Sequence, residues 1–231
     1  MKYKNQSSIT SENELLFRNA IISILKGFSA ETLLDLGSGD GSTTQPIAKA
    51  LNAKKVICVD HETKFMKKAQ EFGYKTIASD LNKKIQLKSN SIDFIVTNQV
   101  IEHIARTDTF VSEISRILKK GGKAVICTPN LASWHNIGAL VLGYQPFSSQ
   151  VSDEAFIGNP LHPLYNQKIH EYQAHLRLFT KKSLIDICTL HKLKPINFRG
   201  IGFYPFKHKI ASFLAHIDPI HSAYLLLMVQ K

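Results

Sequence analysis

The sequence predicts an α/β protein: a doubly wound, mostly parallel seven-stranded sheet with helices on both faces. Three observations carry that expectation. Over the first 130 residues, short apolar runs rich in Val and Ile alternate with stretches of helical periodicity. One run feeds directly into a glycine cluster, Gly37-Ser38-Gly39-Asp40-Gly41, that opens the next helix. With 231 residues and 44% apolar content, the chain can bury a continuous core without cross-links.

Each element has its own signal. Residues 11–26 form an amphipathic helix, with Ser11 as N-cap, Glu12 and Glu14 in the first turn, and apolar residues at Leu15, Leu16, Ala20, Ile22 and Leu25. Gly27 stops it. Residues 31–36 (ETLLDL) form the first strand, and the helix at 42–51 follows the glycines. Residues 55–60 (KVICVD) read as a buried parallel strand. A helix at 61–72, a strand at 74–78 and a strand at 91–97 come next. Residues 107–118 place Phe110, Val111, Ile114, Ile117 and Leu118 on one helical face. Lys119-Lys120-Gly121-Gly122 ends that helix before a strand at 123–128.

The alternation then stops. Residues 131–177 carry Trp134, Pro146, Pro160 and Pro163 with no strand-helix rhythm, as expected of a lid-like segment over a site. A capped helix at 180–190, a strand at 194–201, a loop and helix around 206–216, and a strand at 223–229 complete the sheet. The expected organisation is one domain, 1–231. It comprises an N-terminal helix (11–27), a core (31–130), the irregular segment (131–177) and the C-terminal part of the sheet (178–231).

Composition excludes several classes. Cys58, Cys127 and Cys188 are far apart, each in an apolar run, so they read as buried thiols of a reducing compartment rather than ligands or disulfides. No CxxC pair and no metal-ligand spacing is visible, and no metal is expected. Residues 1–10 lack the apolar stretch of a signal peptide, and 223–229 is too short to span a bilayer. The expected location is cytoplasmic. The net charge of +11 favours anionic partners, but the lysines are dispersed, without the dense block of a nucleic-acid site.

The glycine loop carries the chemistry. Glycines let the backbone turn sharply and approach a ligand, and the helix that follows offers free N–H groups. The dinucleotide fingerprint needs G-x-G-x-x-G, whereas here the third glycine comes one residue early, and no Gly-Lys-Ser/Thr of a P-loop follows. Asp35, at the strand's end, suits the cationic amino group of an amino acid. Asp60 closes the next strand, where an acid can accept both ribose hydroxyls of an adenosyl group. Asp80, in IASDL, is placed to accept from an adenine amino group, with the backbone N–H of Leu81 as complementary donor.

Together, LLDLGSGDG, Asp60 closing VICVD, SDL at 79–81, SIDFIVTNQVIEHI and ILKKGGKAVICTPN resemble the ordered motifs of class I S-adenosylmethionine-dependent methyltransferases. Within that class they are similar to the methyltransferase type 11 group and the ubiquinone-biosynthesis O-methyltransferases, over residues 31–130. The resemblance implies a Rossmann-like fold, S-adenosyl-L-methionine as cofactor and S-adenosyl-L-homocysteine as product. It places Gly37, Ser38 and Gly39 under the methionine moiety, Asp35 near its amino group, Asp60 on the ribose, His61 beside the adenine, and Asn98 and Gln99 beside the methyl.

Methyl transfer is an in-line displacement, so the protein aligns the acceptor and, for a hydroxyl or amine, removes its proton. Candidate bases are His103, His135, His170 and His175. Arg177 beside His175 could bind an acidic group on the acceptor. Trp134, Tyr144, Phe147, Phe156, Tyr165 and Tyr172 could line an acceptor pocket or pack the segment on the sheet. The expected acceptor is a small molecule, methylated on oxygen or nitrogen. The alternatives are an RNA or protein methyltransferase using the basic surface, and a catalytically silent partner subunit. Thr97-Asn98-Gln99-Val100 lacks the Asn/Asp-Pro-Pro-aromatic run of nucleic-acid amino-methylating enzymes. The oligomeric state is left open.

Overall fold

A computed structural model describes residues 14–169 and 174–231. Helix α1 covers residues 14–24, so the expected cap at Ser11 lies outside the described residues. The other elements follow in order: β1 (Thr32–Leu36), α2 (Thr44–Ala50), β2 (Lys55–Asp60), α3 (Thr63–Glu71), β3 (Lys75–Ala78) and β4 (Ile92–Asn98). A 3-10 turn (Ile101–His103), α4 (Thr107–Ile117), β5 (Leu118–Pro129) and α5 (Trp134–Val141) come next, before α6 (Lys181–Leu190), β6 (Lys194–Ile201), α7 (His208–Ile217) and β7 (Tyr224–Gln230).

The seven strands form one sheet in the order β3-β2-β1-β4-β5-β7-β6. β1 to β5 pair in parallel, and β7 runs antiparallel between β5 and β6. The order reverses at β1, with β2 on one side and β4 on the other. In open α/β sheets such a switch point leaves a crevice beyond the strands' carboxyl ends. That crevice is where the glycine loop emerges.

Alternate side chains of the central strands feed two cores. Leu34, Leu36 and Ile95 pack with Phe110, Val111 and Ile114 of α4 and Leu184 of α6 on one face. Leu33, Phe94 and Val96 pack with Phe17 and Ile21 of α1 and Ile47 of α2 on the other. Both faces are therefore apolar, as a covered parallel sheet requires.

Three expectations need correction. The buried face of α1 is Phe17, Ile21 and Ile24, at helical spacing, with buried Leu25 just past its end, while Leu15 is exposed. No separate turn divides α4 from β5. Strand β5 starts at Leu118, and Lys119–Gly122 bulges within it, the register to β4 jumping from Ile92↔Leu118 to Phe94↔Lys123. Gly121, at φ +80°, takes that bend. Lastly, the irregular segment contains a helix, α5, begun by Ser133 in an extended conformation. The capping box of α6 matches expectation: Thr180 accepts from the backbone of Ser183, whose side chain accepts from the Thr180 backbone.

Candidate functional site

At the switch point a cavity of about 510 Å³ opens, lined by Asp35, Gly37, Ser38, Gly39, Asn98 and, from α1, Glu14. The loop hangs from β2: the Gly37 and Ser38 amides donate to the Val59 carbonyl, and the Gly39 amide donates to Asp60 Oδ2 at 2.8 Å. The other Asp60 oxygen accepts from Glu62 N at 2.9 Å. Each of these carboxylate oxygens retains a lone pair.

The three glycines have different duties. A Cβ at Gly37 (φ +77°) would drive into the side chain of Val100. One at Gly39 (φ +53°) would meet nothing within 4 Å, so this backbone stands open to the cavity. One at Gly41 (φ +78°) would come within 3.1 Å of Ala69 Cβ, which explains the early third glycine as a packing contact with α3.

Asp35 is buried and accepts from Thr44 Oγ1 at 2.5 Å. Burial pushes its pKa up to about 6, outweighing the threonine bond that favours the anion. A ligand cation in the cavity would relieve that cost. Asn98 Oδ1 is buried without a hydrogen-bond partner on the same wall, an acceptor whose desolvation a ligand donor would offset. A cationic amino group and further N–H or O–H donors therefore fit this cavity.

Of the remaining expected ligand residues, His61 and Asp80 are more exposed. His61 Nδ1 lies 3.4 Å from Asp60 Oδ1, with most of the ring in solvent. Asp80 caps its own turn, accepting from the Asn82 backbone and side chain, and these bonds hold its pKa below the usual carboxylate range. Leu81 is buried behind it. Gln99 (φ +56°) turns back onto β5: its amide donates to Cys127 Sγ at 3.5 Å, and it does not line the cavity. Sequence reading missed Glu14, Ser42, Thr43, Phe65 and Lys68, which also line the cavity. Lys68 pairs with Asp40 at 2.6 Å. For Phe65 and Lys68 the signal was the phase of α3: Met66 and Ala69 are buried, so these two face outward.

A second group forms past the end of β4. Glu102 is 1% exposed; its Oε2 accepts from Thr128 Oγ1 at 2.9 Å, and its Oε1 has no partner. Burial raises its pKa to about 8 despite the threonine bond. Segment 174–177 is stitched to this turn: the Leu176 and Arg177 amides both donate to the Glu102 carbonyl, and His103 Nδ1 donates to the Ala174 carbonyl at 2.8 Å. These bonds bring His175 beside His103, ring centroids 5.0 Å apart. His175 Nδ1 in turn donates to the Ser148 carbonyl at 2.8 Å, and its amide donates to Gln150 Oε1. Burial lowers the pKa of both imidazoles, that of His175 to about 4.

The sequence shows no metal-ligand spacing, but the fold brings three potential donors together. Glu102, His103 and His175 bring one donor atom each within 4.8 Å of one another. They come from distant stretches of chain, so no local spacing could reveal them. Arg177 instead donates to the Ala105 carbonyl and is exposed. His135 sits apart from this cluster, against Phe147 and Tyr204, its pKa lowered by burial to about 4. His170 and Tyr172 lie outside the described residues.

Of the aromatics, Phe147 and Phe156 stack on His162 within the segment, and Trp134 donates to Asp218 at 2.8 Å. Tyr144 is half-buried and Tyr165 exposed, so packing accounts for this set better than a shared pocket does. The cysteines are free and buried, as expected. Among the described residues no helix is long and apolar enough to cross a membrane.

Comparison with known proteins agrees with the geometry. Residues 34–126 match the family described as methyltransferase domain. The chain is 31% identical over 116 residues to a mitochondrial ubiquinone biosynthesis O-methyltransferase of Mus musculus, covering 46% of this chain and 30% of that protein. It is 30% identical over 115 residues to an uncharacterised protein of Methanocaldococcus jannaschii, covering 50% and 53%. The chain thus spans about half or less of the length of these curated relatives. A Thermotoga maritima structure, described as a SAM-dependent methyltransferase and possible histamine N-methyltransferase, superposes with TM-score 0.64 over 99% of this chain and 94% of that one. At 19% identity that likeness speaks for the fold.

Proposed function

We propose, on the premise that residues 34–126 belong to the methyltransferase-domain family, that this chain is an S-adenosyl-L-methionine-dependent methyltransferase acting on a small molecule. The observation that carries the proposal is the switch-point cavity, where a bare peptide bend meets buried Asp35 and an unpartnered Asn98 oxygen. In this reading Asp35 holds the amino group of the cofactor. Gly37, Ser38 and Gly39 leave room for its methionine part. The spare lone pairs of Asp60 receive the ribose hydroxyls, with His61, Asp80 and Leu81 around the adenine. When bound, the cofactor supplies an electrophilic methyl group on a sulfonium.

The acceptor side is built by segment 131–177. A carbonyl can only accept, so the bonds to Ala174 and Ser148 fix the proton of each imidazole on Nδ1. His103 and His175 therefore keep unprotonated Nε2 atoms for the acceptor, while Arg177 and His135 stand further out. A small-molecule acceptor suits the similarity to a ubiquinone biosynthesis O-methyltransferase.

Calorimetry with S-adenosylhomocysteine tests the reading. Saturable binding is expected, and its absence at high micromolar ligand overturns the assignment. Asp60→Ala should weaken that binding by about 1–3 kcal/mol, the range for hydrogen bonds to a charged group. Unchanged affinity would place the ribose elsewhere.

A further inference from the structure

We infer that Glu102, His103 and His175 form a binding site for a divalent transition-metal ion of the zinc class, with an open position for an oxygen of the acceptor. The inference rests on the methyltransferase reading for the acceptor's role, but not for the ion itself.

Four features of the cluster point to a metal. The donor set is two imidazoles and one carboxylate, which suits a first-row ion and leaves a coordination position free. Each imidazole gives its Nδ1–H to a backbone carbonyl at 2.8 Å, the outer-shell bond that fixes a ligating tautomer and aims the Nε2 lone pair. Glu102 is held from behind by Thr128 on one oxygen, while the other, Oε1, is buried without a partner and lies 4.0 Å from His103 Nε2. The three donor atoms all fall within 4.8 Å of one another. Metal–ligand bonds of about 2.0–2.2 Å would require them to draw together by roughly 1 Å, a movement within reach of side-chain rotation.

Position gives the ion its use. Glu102 follows Asn98, the cavity-lining residue at the end of β4, after one short turn of chain. An ion held there would lie along the same sheet edge as the cavity, where it could bind a hydroxyl or carboxylate oxygen of the acceptor. The acceptor class is then an oxygen-bearing small molecule, and the paired histidines serve as ligands rather than as a free base.

Cobalt(II) is the probe, because its visible absorption reports both coordination and geometry. The full chain, stripped with a chelator, is titrated with Co²⁺, and metal content is measured after gel filtration. One tightly held equivalent with tetrahedral or five-coordinate bands is expected. Glu102→Gln preserves the side-chain shape and a partner for Thr128, and should weaken Co²⁺ binding by at least about tenfold; His175→Ala should weaken it by about 100-fold. Absence of saturable uptake overturns the inference, as does uptake that both variants leave unchanged. S-Adenosylhomocysteine binding is measured on the same samples. A protein that takes up the ion but not this ligand sinks only the methyltransferase reading; the reverse result sinks only the metal site.

Discussion

The glycine loop and segment 131–177 meet near the end of β4 but are held by different means. The loop is held by backbone geometry: positive φ at Gly37, Gly39 and Gly41, amides hung from the Val59 carbonyl, and one aspartate beneath. The segment is held, beside the backbone bonds of Leu131 to Phe179 and of Leu176 and Arg177 to Glu102, by polar side chains reaching distant backbone. Asn130 Nδ2 donates to the Ile220 and Ser222 carbonyls while its Oδ1 accepts from Ala132 N. Asn136 Nδ2 donates to the Asn130 carbonyl and to Ser148 Oγ. His175 then ties the far end to residues 148–150. The bend of the loop is specified within a few residues, although its supports at Val59 and Asp60 lie on the next strand. A site built from side-chain anchors depends on single atoms placed far apart in the chain.

Substitutions can test that contrast, starting with the anchors. Asn130→Ala strips three backbone groups, one buried and two partly buried, of their partner at once. The expected loss is about 3 kcal/mol of unfolding free energy, at roughly 1 kcal/mol or more per orphaned group. Denaturant unfolding checks it, and a loss well under 1 kcal/mol would mean that water or backbone shifts replace the anchor.

Gly37→Ala should cost about 2–3 kcal/mol, part from the left-handed backbone and part from the clash with Val100. Adding Val100→Ala should recover the steric part alone. Full recovery would show that backbone conformation contributes little, and the contrast between the regions would blur.

The smallest effect is a pH dependence. Asp35 has a folded-state pKa of about 6, raised by burial above its unfolded value near 4. It is neutral below about pH 6 and anionic above, and only the anion attracts an amino group. Affinity for S-adenosylhomocysteine should therefore fall as pH drops from 7 to 5, by about tenfold, or 1.4 kcal/mol. The same shift means that the folded state holds this proton longer than the unfolded one, so its contribution to stability declines as pH rises from about 4 to 6. Asp35→Asn should flatten both dependences. A pH-independent affinity in the parent protein would remove Asp35 from the amino-group role.

How far the sequence could be read follows the same division. The parallel strands, the glycine loop and the carboxylates closing β1 and β2 are legible because period, turn residues and strand ends lie side by side in the chain. Helix α4 was legible from its apolar spacing, and α6 from Thr180 and Ser183. The face of α1 was misread because Leu15 and Phe17 are both apolar, and only packing decides which turns inward. Gln99 could not be foreseen facing Cys127, since its positive φ is a tertiary outcome. The joining of Glu102 and His103 to His175 was equally hidden, because it depends on two backbone amides finding the Glu102 carbonyl.

That doubly used carbonyl has a mechanical consequence. With Asn130 anchoring one foot of the segment and Glu102 clasping the other, the span between behaves as a bridge with both abutments on the sheet, not as a hinged flap. Under the proposed function, an opening that admits the acceptor would lie between these two anchors. Glu14 and Phe65 line the switch-point cavity from outside that span, so under the proposed function the cofactor would exchange without the bridge opening.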